Sequence, residues 1–333
     1  MTRIVAEMSC NHLGSLDRAL AIVRAAANAG ADAVKLQTWT PGSMVVDKGY
    51  VIPDGPWAGR NLAELYEEAH TPWEWYPEIH ALALELDIEC FSSVFDLQAL
   101  EFLETHRYGH RHKVSSFELT DTRLLEALGK TGKPLILSTG MAEEVEIHLA
   151  LKAAGTHRNP PTEVTLLKCS SAYPAPLRGC GLLAMQDMRR IFGVPVGFSD
   201  HTRGIVAAIT AAALGATMIE KHLTLRRSDG GPDAEFSAEP EELAALVKGV
   251  REAREARAVM PIGPTPEEMP QRALRRSTWW AFNLHAGGVI ERHHFRTARP
   301  GTGMPPHEAE RLFGSKTARD VFADTPVRHE DFA

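Results

Sequence analysis

At 333 residues, 44% hydrophobic and 24% charged, the chain is long enough for one large domain plus something small, and its composition excludes wholesale disorder. A net charge of −7 argues against nucleic acid or an anionic membrane as the main partner, so any anionic ligand must meet locally clustered cations. Nowhere does an apolar run approach the ~20 residues of a membrane-spanning helix.

Met1-Thr2-Arg3-Ile4-Val5-Ala6-Glu7 passes straight into a strand, with no visible signal peptide. Short apolar strand candidates then alternate with helix-length segments. Strands are expected at 3–8, 31–37, 87–92 and 111–115, and again at 134–138, 163–168, 195–197 and 216–220. The first helix is expected over 16–29, where Leu16, Ala19, Leu20, Val23 and Ala27 recur at helical spacing. Gly30, Gly132 and Gly215 each stand as a helix stop before the next strand.

Eight such βα units match an α/β fold of the (β/α)8 TIM-barrel type. A doubly wound open sheet is disfavoured: no GxGxxG follows the first strand, and polar residues end nearly every strand. The long 38–72 insertion after the second strand is expected to shape a pocket on the barrel's catalytic face. The division expected is a barrel domain at 1–258, a Pro/Gly/Glu-rich linker at 259–274 and a small β-rich domain at 275–333. Cys10, Cys90, Cys169 and Cys180 show no CxxC or zinc-ribbon spacing and read as reduced thiols of a cytoplasmic enzyme.

Alternation along the second strand puts Lys35 and Gln37 inside the barrel and Val34 and Leu36 against the helices. A lysine there is costly unless it meets an anion, either a ligand or a neighbouring carboxylate such as Glu7. Lys113 repeats the theme on the fourth strand, and hydroxyls gather at strand ends: Ser116, Ser138, Ser171 and Ser199. Such a set describes a pocket for a phosphate plus a carboxylate. His201 and His222 end consecutive strands and are the expected ligands of one divalent ion. Glu220 shares the inward face of His222, while Lys221 alternates outward as a structural residue. The remaining histidines, His110, His112, His293 and His294 among them, lack ligand spacing and are expected in solvent.

In chain order, Ala6-Glu7 with Asn11-His12, Gly30 to Thr38, and Leu137-Ser138-Thr139-Gly140-Met141 are followed by Tyr173-Pro174, Ser199-Asp200-His201-Thr202, Glu220-Lys221-His222 and Gly231-Pro232-Asp233. With these motifs the chain resembles the sialic acid synthase family over almost its whole length. The stretch from Arg275-Arg276-Ser277 through Arg299-Pro300-Gly301-Thr302-Gly303 to Phe332 resembles the family's antifreeze-like (SAF) domain. Leu65-Tyr66 with Thr71-Pro72-Trp73-Glu74-Trp75, and 228–237, are most similar to the family's pseudaminic acid branch, ahead of the N-acetylneuraminate and legionaminate branches.

The resemblance implies condensation of phosphoenolpyruvate with the open-chain aldehyde of an N-acetylated 6-deoxy sugar. It implies a divalent ion (manganese, cobalt or magnesium) on His201 and His222. Phosphoenolpyruvate would meet Lys35, Lys113, Ser116, Ser138, Ser171 and Ser199; the sugar would meet Gln37, Tyr173 and Asp233. Glu7 and Glu118 would lie near the reacting carbons, and Arg299 would reach in from the partner in a homodimer with swapped SAF domains. Val94 replaces the family's usual proline, Ser171 stands where neuraminate synthases carry asparagine, and His110-Arg111-His112 replaces a more apolar approach to Lys113. A metal-dependent aldolase on the same barrel and a non-catalytic sugar-binding protein are the competing readings.

Overall fold

The computed structural model describes residues 2–332, which fall into two compact units, Met1–Ala258 and Val259–Ala333. In the first unit eight parallel strands close in sequence order. They are β1 (Arg3–Glu7), β2 (Ala33–Thr38), β3 (Glu89–Val94), β4 (His112–Val114), β5 (Leu135–Ser138), β6 (Val164–Cys169), β7 (Val196–Asp200) and β8 (Met218–His222). β8 pairs back onto β1, so the expected (β/α)8 barrel is present.

Every expected strand is found, with its ends moved by a few residues. β7 moves most and runs on to Asp200. Its polar end looks like loop in isolation but is held in the sheet by β8, Ser199 pairing with Glu220 and Asp200 with Lys221.

The first helix, α1 (Leu16–Asn28), starts where the Ser15 side chain accepts from the Arg18 N–H. It is followed by Gly30 in the left-handed region (φ +81°). Ala19, Ile22, Val23 and Ala26 form its buried stripe, while the expected Leu16, Leu20 and Ala27 flank it half-buried. The 38–72 insertion carries α2 (Pro41–Met44) and α3 (Leu62–Ala69).

Two apolar layers position the site. Val34 and Leu36 join the layer between strands and helices. Inside the barrel, Val5, Ala33, Phe91, Ile136, Leu167 and Met218 form a separate plug. Gly197 belongs to the same level because a Cβ there would overlap the Met218 carbonyl and the Leu167 side chain.

The second unit begins with 259–265, followed by a 3-10 helix (Pro266–Leu274) whose Thr265 cap accepts from the Glu268 N–H. The expected linker 259–274 is therefore partly helical and falls within this unit. β9 (Ser277–Trp280) and β10 (Phe295–Ala298) form an antiparallel pair beside isolated bridges. The strands are short because turns interrupt every apolar run. Trp280, Ile290, Met304, Ala309, Val321 and Val327 make the core, and Trp280 Nε1 donates to Asp331 Oδ2 at 3.0 Å.

Candidate active site

Side chains two residues apart share a strand face, so each plug residue is followed by an inward group one level higher. Val5 leads to Glu7, Ala33 to Lys35, Phe91 to Ser93, Ile136 to Ser138, Leu167 to Cys169, and Met218 to Glu220. Gly197 and Lys113 complete the pattern through Ser199 and β4. The next level brings Gln37 and His222. Above the plug opens a cavity of about 630 Å³, lined among others by Lys35, Gln37, Lys113, Ser116, Ser138, Ser171, Tyr173, Ser199, His201, His222 and Asp233.

Charge at the cavity floor is arranged in pairs. Lys35 forms an ion pair with Glu7, donates to Ser93 Oγ at 2.9 Å, and lies 3.7 Å from Glu220 Oε2. Glu220 Oε1 accepts from Ser199 Oγ at 2.9 Å and stands 4.0 Å from Lys113 Nζ. Glu7 Oε1 accepts from Gln37 Nε2 at 2.8 Å and from the Ser9 N–H at 3.0 Å. The alternative raised for Lys35, a carboxylate partner in Glu7, is thus realised alongside its place in the cavity.

Burial pushes the Glu7 carboxyl up to about 7 against the pull of Lys35, and Glu220 adds repulsion. For Lys35, burial is outweighed by Glu220 and then Glu7, which hold its ammonium above the ordinary value. Lys35 is therefore the firmly charged member, and Glu7 the group free to exchange a proton. Burial of Glu220 is likewise outweighed, by Lys113 and then Lys35, so its carboxyl stays below the usual range. Lys113 is pulled down by burial, which Glu220 only partly offsets.

A cradle lies beside Lys113. The Gly140 N–H donates to Ser116 Oγ at 3.0 Å, and a Cβ on Gly140 would overlap the hydroxyls of Ser171 and Ser116. Ser171 Oγ is buried without a hydrogen-bond partner.

His201 and His222 face one another with ring centroids 5.5 Å apart. His201 Nδ1 bonds to the Ser170 carbonyl at 2.8 Å, which as a donor leaves Nε2 with its lone pair. His222 Nδ1 is buried, lacks a hydrogen-bond partner, and lies 3.5 Å from Asp233 Oδ2. Burial holds both imidazoles below their ordinary value, hence neutral near pH 7. Among the described residues no group of three or more His, Cys, Asp or Glu converges on a metal site. An ion here would take two imidazoles and fill its shell from ligand and water oxygens.

Glu7 and Glu118 do not line the cavity. Glu7 lies beneath its floor, and Glu118 is held by the Ser115 hydroxyl. The Tyr173 ring lies tilted against His201 with centroids 4.4 Å apart, and Asp233 accepts from Ser9 Oγ at 2.5 Å. Arg299 lies in the second unit, just after β10, and is exposed. Val94 is buried in the outer core layer rather than the cavity, so its departure from the family pattern leaves the pocket wall untouched.

Against the expectation of solvent exposure, His12 and His112 are fully buried and His80 is half-buried. His112 is bonded through Nε2 to Glu104 Oε1 at 2.8 Å. His12 lies edge-on against Trp75. Neither carries a sequence signal for burial, because both partners lie on other segments. Sequence reasoning also passed over Ser9, Ser93, Trp57 and Tyr66. The first two follow from strand alternation and the sharp turn at Ser9 (φ +47°); the aromatic pair has no periodic signal.

Comparison with known proteins decides the lineage. The model of the NeuB family matches residues 22–260. The chain is 36% identical to the pseudaminic acid synthase of Campylobacter jejuni subsp. jejuni serotype O:23/36, covering 99% of this chain and 96% of that protein. The chain belongs to the NeuB, or sialic acid synthase, family. Within the NeuB family it is also 34% identical to the N,N'-diacetyllegionaminic acid synthase of Legionella pneumophila, over 98% of this chain and 93% of the relative. The crystal structure of the N-acetylneuraminic acid synthetase from Leptospira borgpetersenii superposes with a TM-score of 0.73 at 30% identity, covering 81% of this chain and 90% of that one. As a NeuB-family member the protein is an enzyme, and the cavity above the plug is its candidate active site.

Proposed function

We propose that the enzyme condenses phosphoenolpyruvate and water with the open-chain aldehyde of 2,4-diacetamido-2,4,6-trideoxy-altrose, giving pseudaminic acid and phosphate. The observation that carries this reading is the convergence of two buried lysines, a hydroxyl cradle and two neutral imidazoles in one cavity. Likeness to pseudaminic acid synthases supports the sugar assignment. The legionaminic relative keeps a diastereomeric diacetamido sugar as the second reading.

In the proposed reaction C3 of phosphoenolpyruvate attacks C1 of the aldehyde, water adds at C2, and phosphate leaves by C–O cleavage. Lys35 and Lys113 offset the charge of the phosphate and carboxylate, and Ser116, Ser138, Ser171 and Ser199 orient their oxygens. Gln37, Tyr173 and Asp233 hold the sugar. His201 and His222 fit a divalent ion, being neutral, buried and incompletely bonded; manganese or cobalt suits imidazole plus oxygen donors better than magnesium. When bound, that ion supplies a Lewis acid for the aldehyde oxygen. Glu7 and Glu118 are the carboxylates proposed to take the proton of the adding water. Neither lines the cavity, but Glu7 is bonded to the lining residues Lys35 and Gln37, and Glu118 to the lining Ser115. Glu7 is the better matched, since an effective base has a pKa near the working pH.

The second unit is proposed to be an antifreeze-like domain that brings Arg299 to the barrel of a partner in a cytoplasmic homodimer. Incubating the purified protein with phosphoenolpyruvate, manganese and a panel of acetamido sugars tests the whole reading. Phosphate release with a product of the condensed mass is expected for the 6-deoxy diacetamido sugar. Turnover without phosphate would mark an aldolase, and sugar binding without turnover a non-catalytic protein.

A further inference from the structure

The cavity changes character along its depth. Its floor carries paired charges and hydroxyls, whereas its wall from the 38–72 insertion is mostly apolar: Tyr50, Ile52, Trp57, Leu62, Leu65 and Tyr66, with Asp54 the one charged contributor. That wall is built rather than loose. Tyr50 and Leu62 open a small hairpin in which the Ile52 N–H donates to the Arg60 carbonyl at 3.0 Å and the Leu62 N–H to the Tyr50 carbonyl at 3.0 Å. Asn61 then caps α3, accepting from the Ala63 N–H at 2.9 Å.

Trp57, at the hairpin tip, fixes the wall to the imidazole side of the cavity. Its Nε1 donates to the Pro232 carbonyl at 2.9 Å, next to Asp233. Its ring lies 5.4 Å from Tyr173, which in turn lies tilted against His201 at 4.4 Å. Tyr66 packs edge-on against Trp39 at 5.7 Å. Burial, with Glu118 and Asp233 nearby, pushes its phenol up to about 12, so it remains a neutral donor.

We propose that this hairpin and α3 select sugars whose far end is deoxygenated, with Ile52 and Leu62 contacting the C6 methyl and Trp57 positioning the wall. The inference rests on the reaction proposed above, which sets C1 of the sugar beside the imidazoles. C6 is then five bonds away, roughly 6 Å in extended form, and falls against the insertion. A methyl group buries there favourably, while a hydroxyl loses water without gaining an assured partner. Apolar pockets reject an added hydroxyl by about 10²-fold at most, which sets the scale.

The test compares two synthetic sugars that differ only at C6: 2,4-diacetamido-2,4,6-trideoxy-altrose and its 6-hydroxy counterpart. Wild type is expected to favour the deoxy sugar by roughly 10- to 100-fold in kcat/KM. The Ile52→Gln/Leu62→Gln variant is expected to bring the ratio within about threefold of unity, chiefly through KM. Single Ile52→Thr and Leu62→Thr variants, checked for an unchanged melting temperature, should each move the ratio part of the way. Trp57→Phe, which keeps an aromatic ring but loses the bond to Pro232, should narrow the ratio as well. Equal use of both sugars by wild type, or an undiminished ratio in folded variants, overturns the inference alone. No phosphate release with either sugar overturns the underlying reaction and this inference with it.

Discussion

The carboxyl of Glu7, pushed up to about 7 by burial, exchanges its proton where an enzyme works. A base must be ionised to act, so kcat/KM should rise with pH through about 7. Glu7→Gln should remove that limb and cost about 10²–10⁴-fold, whereas Glu118→Gln should retain it; a limb surviving in Glu7→Gln moves the base elsewhere. In the cavity wall, the cradle at Gly140 has no room for a methyl group, which would meet Ser171 and Ser116. Gly140→Ala should raise the KM for phosphoenolpyruvate at least tenfold with little change in the KM for sugar. Lys113→Met should do likewise, since losing one partner of a buried charge pair costs about 2–5 kcal/mol. An unaltered KM in both variants would place the anion outside this cradle.

At the scale of elements, β7 and β8 are joined behind the imidazoles by a buried pair. Lys221 Nζ lies 3.2 Å from Asp200 Oδ2 and also bonds to the Thr202 carbonyl, while Asp200 Oδ1 accepts from the Thr202 N–H at 2.9 Å. Each partner directly precedes a histidine, so the pair sets how far apart the two rings are carried. Lys221→Met leaves Asp200 buried without its counter-charge, a loss of about 3–5 kcal/mol. It should lower the melting temperature and weaken manganese affinity measured by calorimetry, and Asp200→Asn/Lys221→Met should recover much of both. Equal behaviour of the single and double variants would show that the pair carries no coupling.

Much at this scale was legible beforehand. Apolar runs ending in polar residues marked all eight strands, and alternation alone turned Lys35 and Gln37 inward and Lys221 outward. The Glu7–Lys35 rung was expected, but the full ladder on through Glu220 to Lys113 was not, because it exists only once β8 closes on β1. The burial of His12 and His112 was hidden because it depends on how other segments pack over them: Trp75 lies far along the chain from His12, and Glu104 reaches His112 from the segment just before β4. The roles of Trp57 and Tyr66 in the cavity wall depend on how one irregular insertion folds back.

Across the whole molecule, several imidazoles are buried and held neutral. Burial pushes His12 and His80 down to about 4, the charge of His70 adding to the effect at His12. Burial likewise lowers His112, with Glu104 opposing. In the unfolded chain each would bind a proton below its ordinary value of 6.5. The unfolded state therefore takes up more protons, and stability falls as pH drops from about 6.5 toward 4. Each imidazole removes up to about 1.4 kcal/mol per pH unit in that window. Melting curves should drop steeply across it, and His80→Phe should flatten the decline; a flat profile in wild type would contradict these buried neutral rings. At the same scale, a chain ending at Ala258 should lose sugar turnover, and adding an Arg299→Ala full-length partner should not restore it. Full activity of the isolated barrel would remove Arg299 and the second unit from the reaction.

The pleat that stacks a lysine above an alanine in β2 leaves no tolerance for frame errors. Deleting one residue between Ala33 and Lys35 would turn the ammonium out among the helix-facing aliphatics and swing Leu36 into the mouth. Catalytic competence and strand phase are thus a single inherited property. A change of length is absorbed far more readily by the connecting loops, which have no pleat to keep in phase.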